Sequence, residues 1–366
     1  MATRGRMALL GAGGAALLAG LWMGLARIGA VLPVAGLSVM DHGPLMVSGF
    51  LGTVIALERA VAARTTWGYA APLFNALGTL AVLASDSILG PVLLALGSVA
   101  VVAILVRVVW MDHGVHHLVM LIAAAAWVAG NGLLVFGRPV FDVVGCWLAF
   151  IILTIASERL ELNRLLRPTR FARFAFAPAV ALLLAGVAVA FVARDLGFRL
   201  LGAGSLSIAA WLVVNDVARR TVRQTGAVRF IAVSLLSGHL WLGVGGALAL
   251  WYGGPYAGPS YDALLHAVFV GFVFSMIFGH ALVIVPAVLG IRVQYRARFY
   301  VHLALLHASL VLRIVGDLAG SSLLRQVGAW ANVAALLLFV FNTVRAAQRS
   351  PTTSPLRSHV RAGQAI

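Results

Sequence analysis

The chain has 366 residues, 62% of them hydrophobic and only 10% charged, with a mean hydropathy of +1.01. That composition excludes a soluble domain of this size and marks a polytopic membrane protein. All 27 basic residues are arginine, and the formal charge of +16 reports topology and contact with anionic lipid. No basic patch lies on a soluble face, so a nucleic-acid partner is excluded. The single Cys146 excludes an internal disulfide or a cysteine cluster and reads as a small core residue.

The opening run, MATRGRMALLGAGGAALLAGLWMG, is long and further apolar spans follow it. It reads as an uncleaved first helix, not a signal peptide. Spans of roughly 20 residues, broken by Arg, Pro and Gly clusters, predict an all-α bundle of about twelve transmembrane helices. They fall near 7–33, 41–62, 67–86, 88–109, 115–136, 139–161, 172–193, 197–217, 227–251, 262–289, 297–318 and 324–346. No β-barrel alternation is present. Residues 1–348 form one transmembrane domain, and the polar tail 349–366 is expected to be disordered.

Arginine positions orient the bundle. With a cytoplasmic N-terminus, 21 of the 27 arginines fall on the cytoplasmic side. Arg138, Arg194, Arg199 and Arg325 fall opposite, and Arg27 and Arg313 lie within spans. This bias follows the positive-inside rule and places both termini in the cytoplasm of a bacterial inner membrane.

A repeat runs through the second, sixth and tenth spans. GFLGTVIALER (49–59) aligns with AFIILTIASER (149–159) at Phe50/Phe150, Glu58/Glu158 and Arg59/Arg159. GFVFSMIFGHA (271–281) aligns at Gly49/Gly271, Phe50/Phe272 and Thr53/Ser275, and sets His280 against Glu58. The three segments run in one direction, four helices apart, as in a pseudo-three-fold repeat of four-helix units. The Glu-Arg pairs at the cytoplasmic ends are expected to bind the arginine-rich loops.

The histidines carry the chemistry. His42 and His266 lie at the outer ends of two repeat-related helices, where two neutral imidazoles hold a metal axially in bis-histidine haem. Asp41 and Asp262 sit at the same level and suit the role of imidazole acceptors. The alternative is that all four simply end helices in the wet interface. His280 follows His266 by fourteen residues, so on an unbroken α-helix both face one way, about 21 Å apart. With His239 and His307 at its depth, a second metal site is one reading, copper being suited to imidazole. The other is polar packing, which Ser237 beside His239 favours, and His302 belongs with packing. His113, His116 and His117 share a face at the start of the fifth span, where Asp112 reads as a cap. Arg313 reads either as an i, i+4 partner of Asp317 or, with Arg27, as a partner of haem propionates.

These segments resemble the NnrS family of multi-spanning haem- and copper-containing membrane proteins. DHGPLMVSGF (41–50) is similar to that family's WHAHEMLFGF-like segment at His42, Met46, Gly49 and Phe50. LHAVFVGFVFSMIFGHA (265–281) is similar to a later one at His266, Gly271, Met276 and Gly279. The closing RIVGDLAG and LLLFVFNTVRA also resemble the family's ending. Pro44 and Leu45 stand where the family has histidine and glutamate, VLGIRVQY lacks a family histidine, and His280 replaces a methionine. More distantly, twelve helices in a three-fold repeat resemble the catalytic subunit of haem-copper oxidases, though the sixth and seventh spans here carry no histidine. The resemblance implies haem, with possible copper, and an electron-transfer or nitric-oxide-related role beside an electron donor. The alternatives are a cofactor-free transporter or metal carrier, and an assembly subunit. No hydrolase motif, P-loop or HExxH is present.

Overall fold

A computed structural model describes residues 1–34, 38–84, 87–163 and 170–349. The predicted tail, from residue 350 on, lies outside the described residues. The helices are α1 (Thr3–Arg27), α2 (Val39–Ala62), α3 (Trp67–Ala84), α4 (Leu89–Met111), α5 (Val115–Val135), α6 (Val140–Asn163), α7 (Arg170–Ala190), α8 (Arg194–Asn215), α9 (Gly226–Tyr252), α10 (Pro259–Leu289), α11 (Phe299–Leu318) and α12 (Ser322–Ala346). Among the described residues eleven of these are long and apolar enough to cross a membrane, and Phe174–Ala190 of α7 forms a shorter apolar helix. The protein is a multi-pass, all-α membrane bundle. Two three-residue strands, β1 (Ile291–Val293) and β2 (Ala347–Arg349), pair antiparallel, with Arg292 opposite Gln348.

Helices in lipid gain no hydrophobic drive from meeting one another, so close backbone approach has to hold them. Glycine supplies that approach here. A Cβ on Gly202 would lie 2.6 Å from the Gly246 carbonyl oxygen, and one on Gly246 would lie 2.7 Å from the Leu206 nitrogen. These two residues set the α8–α9 crossing. Gly186 and Gly204 do the same between α7 and α8, against the backbones of Leu201 and Leu183.

Helices α2, α6 and α10 lie innermost. Their apolar windows are 61%, 83% and 61% buried, against 33–56% for the other spans. Both α2 and α10 contain a π-helical stretch, Leu45–Gly52 and Ala267–Phe274. The two stretches have equal length and are offset by the same 222 residues that align Gly49 with Gly271. Each of those glycines admits a neighbour: Thr79 and Ala16 at Gly49, the Trp241 ring at Gly271. In α6 the helix is α throughout.

The glycine contacts predict a contrast. Gly246→Ala should cost about 1–3 kcal/mol, because the neighbouring backbone has to shift. A Cβ at Gly11 meets nothing within 4 Å, so Gly11→Ala should be neutral or gain up to about 1 kcal/mol from helix propensity. Thermal unfolding of the two variants in the same detergent measures the difference.

A candidate cofactor cavity lined by two histidines

At the Asp41 end of the bundle, α1, α2, α6, α10, α11 and α12 enclose a cavity of about 300 Å³. That is within the range of small-molecule sites. His42, His266, Arg27 and Arg313, the four residues singled out for a cofactor, all line it. So do Met46, Trp147, Phe274 and other apolar side chains, together with Tyr261, Asn332 and Arg325.

The two imidazoles face each other with ring centroids 6.2 Å apart and planes 20° from parallel. His42 Nδ1 lies 2.7 Å from the Gly20 carbonyl oxygen of α1, and His266 Nδ1 lies 2.9 Å from the Asp262 carbonyl oxygen. A carbonyl only accepts, so both Nδ1 atoms carry the proton and donate. In a neutral ring that leaves Nε2 with its lone pair. This is the arrangement that metal-ligating histidines adopt. Among the described residues neither Nε2 has a hydrogen-bond partner.

Glycine makes room for it. A Cβ on Gly24 would lie 2.8 Å from both Cε1 and Nδ1 of His42, and one on Gly20 would lie 2.7 Å from the Met46 sulfur. Gly20 and Gly24 are four apart, one turn of α1. Sequence reasoning passed over them, although a small-x-x-x-small pair in an apolar helix is a recognisable signal.

Asp262 is the anchor on the α10 side. Its carboxylate lies 3.2 Å from His266 Nδ1 and accepts from Arg313 Nε and Nη2, each at 2.8 Å. Arg313 thus pairs across helices with Asp262, not with Asp317 one turn on. The fork of a guanidinium fits both oxygens of one carboxylate, which a point charge does not reward. Asp317, buried behind this pair, has Arg325 Nε at 4.0 Å. Asp262 takes the predicted acceptor role, whereas His42 turns to the Gly20 backbone and not to Asp41.

At the other end of α2, α6 and α10 a second polar set is buried. Arg59 donates to Glu58 and, at 3.0 Å, to Glu158. Arg159, 4% exposed, donates from Nη2 to His280 Nε2 at 2.8 Å. The glutamates were expected to bind the arginine-rich loops. Among the described residues the bonds run between spans instead, because a buried charge is stabilised most by a partner at its own depth. Arg164 and Arg167 lie outside the described residues.

The inner histidines have separate partners. His280 Nδ1 donates to the Met276 carbonyl, so its Nε2 is the acceptor for Arg159. His266 lines the cavity and His280 meets Arg159 of α6, and the π-helical stretch between them changes the angular step assumed for an unbroken α-helix. His307 Nδ1 accepts from Trp241 and its Nε2 meets Ser237 Oγ at 3.0 Å. Ser237 therefore serves His307, not the neighbouring His239. His239 is fully buried with Nε2 3.6 Å from Asp216 Oδ2. Burial pushes the Asp216 carboxyl up, opposed by Arg159 and by the Ala218 N–H. His302 packs among Phe278, Phe299 and Phe339, with Asn342 at its Nδ1.

The buried bonds predict a stability pattern. Arg59→Leu should destabilise the protein by about 3–5 kcal/mol, the cost of leaving buried charges unpaired. Adding Glu158→Gln to that variant should restore part of the loss. Thermal unfolding of the single and double variants gives the coupling.

A family model described as a domain of unknown function (DUF8744) matches residues 6–348. Comparison with curated proteins and with solved structures finds no match.

Proposed function

The chain belongs to the DUF8744 family, and we propose that it is a haem-binding membrane protein in which His42 and His266 would hold the haem. The observation that carries the reading is the pair of Nδ1–H groups fixed on backbone carbonyls, with ring centroids 6.2 Å apart. A nitrogen–metal–nitrogen unit with bonds of about 2 Å spaces the centroids of its two rings by about 6 Å. The donor set fits the group. When bound, haem supplies a one-electron couple whose potential depends on its axial ligands and surroundings.

The chain's own residues then divide the work. Asp262 orients His266 and raises its basicity as a ligand. Arg27 and Arg325, with Arg313 held on Asp262, supply positive charge for propionates. Trp147, Met46 and Phe274 keep water from the rings. With histidine on both faces, the role is electron transfer or sensing, served by an electron donor. A nitric-oxide connection rests on the resemblance to the NnrS family. Against a copper centre at the inner histidines, His280 and His307 spend both ring nitrogens, while His239 keeps both without a hydrogen-bond partner among the described residues.

The reading extends to architecture. With α7 as the twelfth span, both chain ends lie on the cytoplasmic face of a bacterial inner membrane. The three innermost helices are then equivalent members of a three-fold repeat. Their bonds support this: the arginine of one unit reaches the glutamate position of the next, Arg59 to Glu158 and Arg159 to His280.

The reduced-minus-oxidised visible spectrum of the purified protein tests the proposal. A low-spin haem spectrum is expected, lost or shifted in His42→Ala and in His266→Ala and kept in His302→Ala. A blank spectrum after expression with ample haem would favour the cofactor-free carrier or assembly reading. Wild-type spectra in both histidine variants would remove the ligation.

A further inference from the structure

A separate cluster lies where α4 turns into α5, near the Glu58 end of the bundle. We propose that Asp112, His116, His117 and Glu161 form a binding site for a divalent transition-metal ion. The ligand atoms of Asp112, His116 and His117 all lie within 4.8 Å of one another. His117 Nε2 is 3.2 Å from Asp112 Oδ2, and His116 Nε2 is 4.0 Å from Glu161 Oε1. A tetrahedral ion with bonds of about 2.0–2.2 Å sets its donors about 3.3–3.5 Å apart. His117 and Asp112 already lie close to that spacing, and Asp112 and Glu161, both half exposed, have room to turn toward an ion.

Helix capping accounts for only part of this. The N-cap residue of α5 is Gly114, and Asp112 accepts from its N–H at 3.0 Å. Slight desolvation disfavours the Asp112 carboxylate, but that N–H and His117 outweigh it and hold the group below its usual pKa. His113 precedes the helix and does not share the face of His116 and His117. Capping does not explain His116, which is 3% exposed and packs its ring 4.0 Å from that of His117.

Gly114 has an ordinary negative φ of −60°, so backbone conformation does not demand glycine there. Space does: a Cβ would lie 2.3 Å from His116 Cε1 and 2.7 Å from its Nδ1. The turn is cut away for a buried imidazole beside a second imidazole and two carboxylates from different segments. Imidazole with carboxylate suits zinc and its neighbours, not calcium or magnesium. Because Asp112 and Glu161 are half exposed at the helix mouth, the ion comes from solution and not through the bundle.

Cobalt(II) titration of the chelator-stripped, full-length protein, followed by visible absorption and by zinc competition, tests the site. One equivalent with the absorption of tetrahedral cobalt is expected. His117→Ala and the Glu161→Gln, Asp112→Asn pair should each weaken it at least tenfold. The carboxamide pair leaves the buried residues in place, so misfolding does not blur the result. The band should persist in the His42→Ala, His266→Ala double variant, which separates this site from the haem reading. No cobalt band in the wild type, or equal affinity in all the cluster variants, overturns the proposal.

Discussion

Charge buried at membrane depth has to find a partner on another helix, and at the Glu58 end of the bundle two arginines meet that constraint. Arg59 on α2 reaches α6, and Arg159 on α6 reaches α10. Each bond joins two of the three most buried spans. A guanidinium stays charged in any surroundings, so it does not relieve its burial by losing a proton. The helices must come together to satisfy it. The aromatic stack of Phe50 on Phe274 links α2 to α10 without any charge. The outer helices then pack on this inner set through glycine.

The opposite half uses a different device. There Arg313 is paired with Asp262, but each of the two imidazoles keeps one ring nitrogen without a hydrogen-bond partner among the described residues. Gly20 and the backbone of Asp262 each take one ring proton, both rings line the cavity, and Gly24 makes room for the His42 ring. The same two helices thus carry a closed polar set at one end and an open one at the other. Closed sets confer structure, and open ones invite ligands.

The all-α, multi-pass architecture was legible because twenty-residue apolar runs have a strong physical signature. The shared depth of His42 and His266 was legible from topology, and so was the company of Arg27 and Arg313. Partner choice was not. Arg313 chose Asp262 over the nearer Asp317, and Ser237 chose His307 over His239, because rotation in an apolar bundle leaves no periodic trace. The π-helical stretches were equally silent, since apart from Ser48 their residues are apolar or glycine and show no period. Gly24 and Gly114 carried a signal of a kind, but its meaning depends on which ring lies opposite.

Those wider stretches, Leu45–Gly52 and Ala267–Phe274, have a consequence for how such a sequence changes over time. A helix is a phase-locked object: inserting one residue turns everything beyond it by about 100°. A stretch with one residue more per turn holds such an insertion without passing it on. The histidine end and the arginine end of α2 are therefore out of step by design, and each is free to drift in angle without dragging the other. The histidine pair can be retuned while the opposite end keeps its register.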